Sequence, residues 1–442
     1  MRCAEPLRAA LALLLPLAMT LALGLTGCGG GNSSTTSLVV NGTPTPPVTV
    51  SVDQPQGPNT TQIAVDAGPG GGFGAPPTNL PYVTVTICAP GSTTSCATVD
   101  HVFLDTGSIG LRLLRSTVAG ITLPPMAAGA GNAAECYPFV VGAVWGAVVQ
   151  GDLTIAGEHA ANLPLQLIDD RPTPQPAAPA ACVSAAGGTL LASMGQLQAK
   201  GVLGIGMLRY DCGLVCQTGA YGGGITLYYA CDAAGACQPT AIGADQQVQN
   251  PVAGFPVDNN GTLIVLPAVP ATGASAAYGR LVFGIGTQTD NQIAPGATRL
   301  AVQTDPARAD YLYLGAALGA TAYAYGYLDS GSNGLFFADA ALAKPACTGG
   351  GAGGTWYCPS AAATLGLQLT DMNGSGAAVT LAVASADVLF ATGNTAFSNL
   401  AGAPGGADAG AFALGLPFYY GRSVYTSIWG QALSSAGPWV AF

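Results

Sequence analysis

The sequence predicts an all-β protein made of two related lobes with a cleft between them, and three observations carry that expectation. Only 8% of the 442 residues are charged, 12 Lys and Arg against 22 Asp and Glu, where an ordinary soluble chain has about 25%. Long charged helices and coiled coils need those residues in quantity and are excluded. Sixty-four glycines and 32 prolines punctuate short apolar runs, the pattern of many strands joined by tight turns. Finally, the segment Phe103 to Leu111 returns 224 residues later as Tyr327 to Leu335. One repeat at that separation points to paired lobes rather than a solenoid. A net charge of −10 with only two lysines, Lys200 and Lys344, argues against nucleic acid as a partner.

The elements follow in chain order. Arg2 and Arg8 precede an apolar run from Ala9 to Leu25, and Leu25-Thr26-Gly27 leads into Cys28. A basic start, an apolar stretch and small residues before a cleavage point describe an export signal. A cysteine directly after them resembles a bacterial lipoprotein signal, which implies that residues 1–27 are removed and Cys28 carries lipid. Gly29 in place of an aspartate implies the outer membrane, with the protein facing the periplasm or the cell surface. Residues 28–60 are rich in Gly, Ser, Thr and Pro and read as a flexible tether. Residues 61–295 are expected to form the first lobe and 296–442 the second.

Within the lobes, Tyr82 to Ile87, Val102 to Leu104, Asp152 to Ile155, Leu263 to Leu266 and Leu281 to Phe283 are strand-length and bounded by turn residues. Thr189 to Lys200 is the best helix candidate. The uncharged run Tyr311 to Leu328 is too rich in tyrosine for a membrane span and reads as a pair of buried strands. Cys3 leaves with the signal and Cys28 takes the lipid, so ten cysteines remain, an even number in an exported chain. Connectivity is not deducible, but the spacing suggests local loops: Cys88 with Cys96, Cys136 with Cys182, Cys212 with Cys216, Cys231 with Cys237, Cys347 with Cys358. The competing reading makes Cys212, Cys216, Cys231 and Cys237 a zinc site.

The repeat is where the chemistry concentrates. Each copy is an apolar strand ending in a carboxylate, Asp105 or Asp329, then a sharp turn at Gly107 or Gly331. Hydroxyls sit one and three residues beyond each aspartate: Thr106 and Ser108, Ser330 and Ser332. If the lobes pack about a pseudo-twofold axis, the two carboxyls meet. Two carboxyls at contact distance share one proton, and such a pair can deprotonate a water and protonate a carbonyl.

On these residues the chain resembles the pepsin-like aspartic proteases. Asn79 to Ile87 is similar to their opening strand, and Val140 to Gly157 to their flap hairpin and following strand. Gly201 to Gly206 and Ala413 to Tyr420 resemble the apolar elements that support the two aspartates. Gly279 to Gly284 and Val440 to Phe442 resemble the strands that close each lobe. The resemblance implies that Asp105 and Asp329 are the catalytic dyad and that Thr106 and Ser330 lock the turns together. It also implies that Ser108 and Ser332 bond the outer carboxylate oxygens and that Gly107 and Gly331 bring amides close. A peptide or protein in extended conformation would be the substrate of a monomeric enzyme that needs no cofactor and no metal.

There are departures from that family's pattern. The flap tyrosine has no clear counterpart; Tyr137, Phe139 and Trp145 are near, and Trp145 is the first choice. Ile109-Gly110 replaces a polar pair, and Leu416 stands where Asp or Asn is common. Arg171 to Pro179 and the cysteine-rich stretch 212–237 are insertions, and no basic prosegment is expected. Other chemistries are poorly supplied. With His101 and His159 the only histidines, a zinc-protease helix motif is missing, and no Gly-x-Ser-x-Gly elbow or P-loop occurs. His101 reads as structural and His159 as solvated, while Trp145, Trp356, Trp429 and Trp439 serve mainly as core. The alternatives to a peptidase are a pepsin-like module that binds without turnover and a disulfide-stapled surface adhesin.

Overall fold

The computed structural model describes residues 47–53, 57–70, 76–185, 187–218, 227–305, 308–350, 355–405, 410–431 and 437–442. The expected signal, Cys28 and the tether as far as residue 46 lie outside the described residues. Strands form a 17-stranded and an 8-stranded sheet, and the longest helix among the described residues, Ala180–Ala185, has six residues.

Local sequence explains the strands. In Pro81–Cys88 the β-branched residues Val83, Val85 and Ile87 are buried while Thr84 is exposed, the two-residue alternation of a sheet with one buried face. The strand pairs antiparallel with Cys96–Asp105. The element that organises the first lobe is Gly201–Ile205, which runs parallel to Cys96–Asp105 and antiparallel to Ile109–Leu114. It is therefore threaded between the two strands that flank the first Asp turn. The second half repeats this: Ala411–Leu414 runs parallel to Thr321–Leu328 and antiparallel to Leu335–Phe337. All five residues of one threaded strand and all four of the other are buried, as expected for strands covered on both faces. The sequence repeat is thus a repeat of topology.

Several boundaries differ from expectation. Thr49–Ser51, assigned to the tether, pairs in parallel with Ala276 to Tyr278, and Asn59 is fully buried with its Nδ2 donating to the Phe283 carbonyl at 2.9 Å. An edge strand of three residues buries little and leaves little trace in composition. The lobes are also not cut cleanly at residue 295. Ser423–Ser427 pairs with Gly261–Val265, and Trp439–Ala441 pairs with Arg299–Ala301 and Ser423–Ser427, so the end of the chain completes the sheet begun by the first half. In the helix candidate only Met194–Leu197 is helical. Ser193 caps its start, and Gln198, left-handed at φ 52°, ends it.

Arg308–Leu318 and Thr321–Leu328 are the strand pair expected over 311–328. Thr321–Leu328 is half exposed rather than buried, with Tyr323, Gly326 and Leu328 turned inward. All five local disulfides form as suggested. Cys212, Cys216, Cys231 and Cys237 are bonded in two pairs, which removes the thiolates that a zinc site would require.

Candidate active site

Asp105 is the last residue of Cys96–Asp105, and Asp329 directly follows Thr321–Leu328. Each apolar strand is anchored in the core, so it delivers its carboxyl to the junction of the two halves. The turns interlock there. The Ser330 amide donates to Thr106 Oγ1 at 2.9 Å, and the Thr106 amide donates to Ser330 Oγ at 3.1 Å. Ser330 Oγ in turn donates to the Leu104 carbonyl at 3.0 Å. Both threaded segments hold their turns through backbone bonds: the Gly206 amide donates to the Ser108 carbonyl at 3.0 Å and the Leu416 amide to the Ser332 carbonyl at 2.7 Å. Because that bond uses only main chain, a leucine at 416 serves it without a polar side chain.

The Gly107 amide donates to Asp105 Oδ1 at 2.7 Å, and the Gly331 amide to Asp329 Oδ1 at 2.8 Å. These glycines also admit the opposite carboxyl. A Cβ on Gly107 would lie 2.6 Å from Asp329 Oδ1, and one on Gly331 would lie 2.7 Å from Asp105 Cγ. The two carboxyls therefore sit crosswise between the turns, each against the glycine of the other turn. Asp105 is 6% exposed. Burial first, then the neighbouring Asp329 charge, push its pKa well above the ordinary carboxylate range; Ser108 and the Gly107 amide oppose the shift.

The hydroxyl partners are unequal. Ser332 Oγ donates to Asp329 Oδ2 at 2.7 Å, as expected. Ser108 lies close enough to Asp105 to oppose the rise of its pKa, but its buried Oγ has no partner of good hydrogen-bond geometry. Hydrogen bonds weaken steeply off line, so Ser108 is a poorer donor to its carboxyl than Ser332 is. Thr106 Oγ1 lies 3.1 Å from Tyr419 Oη, a contact that sequence reasoning did not anticipate.

A cleft of about 730 Å³ opens over the pair. Asp105, Asp329, Gly107, Gly331, Ser108 and Ser332 all face it. The hairpin of Gly131–Phe139 and Gly142–Ile155 overhangs it, with Val140 and Val141 exposed at the tip. Here the first choice for the flap residue is corrected. Trp145 is 1% exposed, its Nε1 donates to the Pro176 carbonyl at 2.8 Å, and it packs beside Cys136 and Tyr229 away from the cleft. Tyr137 and Phe139 line the cleft instead. In this hairpin Cys136 faces Trp145 while Tyr137 faces Val144, and a step of one residue changes the face of the strand.

None of the four tryptophans lines the cleft. His101 stands apart, 2.7 Å from Asp100 and 3.5 Å from Asp66. Sequence reasoning also missed a buried group beside the cleft, made of Arg112, Glu135, Asp211 and Tyr228. Its signal was present: Arg112 interrupts an apolar run in a chain with 12 cations.

Two β lobes with threaded central strands, and two interlocked Asp-Gly turns facing each other under a hairpin, define a bilobal fold of the pepsin type. The chain belongs to the family described as "Protein of unknown function (DUF3443)", which it matches over residues 55–442. Among solved structures it is similar to an aspartic proteinase from Irpex lacteus, at 14% identity and a TM-score of 0.46, covering 86% of this chain and 96% of that one. No curated protein sequence matches it.

Proposed function

We propose that this protein is an aspartic-type endopeptidase acting on extended peptides, and the observation that carries the reading is the crosswise packing of Asp105 and Asp329 against Gly331 and Gly107. With one proton on the pair, Asp329 is the anion, since Gly331 and Ser332 both donate to it. Asp105, more deeply buried and without a well-aligned hydroxyl donor, holds the proton. A water between them gives its proton to Asp329 as its oxygen attacks the peptide carbonyl, and Asp105 protonates the carbonyl oxygen. The resulting diol collapses when Asp105 takes a proton back from one of its hydroxyls and the proton on Asp329 passes to the nitrogen, so that the C–N bond breaks, acid and amine leave, and the pair returns to its starting protonation.

A second reading, a module that binds extended chains without cutting them, is favoured by the poorly aligned Ser108 hydroxyl. Purified protein offered a peptide library between about pH 3 and pH 7 separates the two. Cleavage that Asp105→Asn and Asp329→Asn abolish supports the peptidase; cleavage unchanged in both variants, or none in the parent, refutes it. The site would be held at the outer membrane, facing periplasm or cell surface, by lipid on Cys28. Cys28→Ser should then move the protein from the membrane fraction to the soluble one.

A further inference from the structure

We infer that Arg112 is a positioning residue that fastens the flap hairpin to the first Asp turn by carrying the ring of Tyr137 on its guanidinium. The inference rests on the peptidase reading only for its effect on turnover; the geometry stands independently. Arg112 is fully buried, on the strand Ile109–Leu114 that leaves the first turn. Its Nη1 donates to the Ile109 carbonyl, inside that turn's exit. Its Nη2 donates to Glu135 Oε1 at 2.7 Å and to Asp211 Oδ2 at 2.9 Å. Its Cζ lies 3.6 Å from the centroid of the Tyr137 ring.

Glu135 and Tyr137 belong to the same flap strand, Gly131–Phe139, so the guanidinium grips that strand twice. A cation stacked on an aromatic face away from water is worth more than an exposed one. Further bonds make the grip rigid. Tyr228 Oη donates to Asp211 at 2.8 Å and accepts the Val248 amide at 2.8 Å. Gln166 Nε2 donates to the Glu135 carbonyl at 2.7 Å. One cation faces two carboxylates in this buried site, and burial followed by the Glu135 charge raises the pKa of Asp211.

Gly110 beside Arg112 has φ +98°, a backbone that favours glycine, and a Cβ there would collide with Val248 Cγ1. The glycine therefore lets Val248 pack where its amide reaches Tyr228 Oη of the cluster. Asp211 is both a member of it and a cleft residue, so the clamp is continuous with the site.

Hydrogen exchange on the full chain tests this without relying on turnover. Arg112→Lys keeps the charge but loses the planar fork and the stacking face. Tyr137→Leu removes the ring and leaves the ion cluster intact. Each should speed amide exchange across residues 133–147 by roughly tenfold or more, while Pro81–Cys88 keeps its protection. The double variant should add little to either single one. Where the parent cleaves peptides, each variant should lower kcat and raise KM together. An unchanged flap in Tyr137→Leu, loosening spread evenly over both lobes, or fully additive effects would overturn the inference. Should Arg112→Lys fail to fold, Tyr137→Leu alone decides it. A parent that cleaves nothing, with a flap that loosens as described, counts against the peptidase reading and leaves the clamp standing.

Discussion

The two Asp turns share Asp, a hydroxyl residue, Gly and Ser in the same order, yet they present their carboxyls differently. Asp329 accepts from an amide and a serine hydroxyl, at 2.8 and 2.7 Å. Asp105 accepts the Gly107 amide, is 6% exposed, and has Ser108 beside it poorly aligned. Across the junction, Ser330 Oγ reaches back to the Leu104 carbonyl, whereas Thr106 Oγ1 lies against Tyr419. Near-identical sequence therefore yields unequal electrostatics. In the proposed mechanism these differences in hydroxyl donation and burial place the proton on Asp105.

That inequality can be broken from either side. Replacing either aspartate by asparagine breaks the acid–base pair, and hydrolysis should fall by about 10²–10⁴-fold in kcat with the fold retained. A methyl placed between the turns attacks the geometry. Gly331→Ala and Gly107→Ala each press a Cβ against the opposite carboxyl and should cost about 1–3 kcal/mol in urea unfolding, with activity lost. The hydroxyls sharpen the comparison. Ser332→Ala removes a hydrogen bond to the anionic partner, of a kind worth about 1.5–3 kcal/mol, and should lower kcat about tenfold or more. Ser108→Ala should change it far less. Equal losses in the two serine variants would contradict the assignment of better and poorer donor.

Stability against pH should show the smallest effect. Asp105 and Asp211 have folded pKa values raised by burial, and Glu158 is pushed up to about 7 by burial and by Asp258. For each, the folded state binds the proton more tightly than the unfolded one. Their contribution is therefore fully present below the unfolded carboxyl pKa of about 4 and is lost as pH rises through the folded value. Thermal scans should give a higher Tm at about pH 5 than at about pH 8, and Asp105→Asn should flatten the slope.

Much of the site was legible because its signal is local. Strand, carboxylate, hydroxyl and glycine occupy consecutive positions, and doubling the pattern made chance a poor explanation. The cysteine pairs were legible for the same reason, four of the five closing loops of 4 to 11 residues. What escaped is assembled from distant parts. Arg112, Glu135, Asp211 and Tyr228 come from four separate segments, and each alone is a polar residue in an apolar setting. Tyr419 gave no sign of meeting Thr106, 313 residues away. Tyr137 and Trp145 were both candidates, and only the hairpin register, Cys136 against Trp145, shows which face the tryptophan takes. Thr49–Ser51 is too short an edge strand to stand out from a polar leader.

Carboxyl-carbon NMR of aspartate-labelled protein reads the shared proton directly. Asp105 should titrate far above the ordinary carboxylate range, and Asp329→Asn should move this titration downward without restoring an ordinary value, since burial is its larger cause. Two carboxyls titrating independently in the ordinary range, each indifferent to the loss of the other, would contradict it.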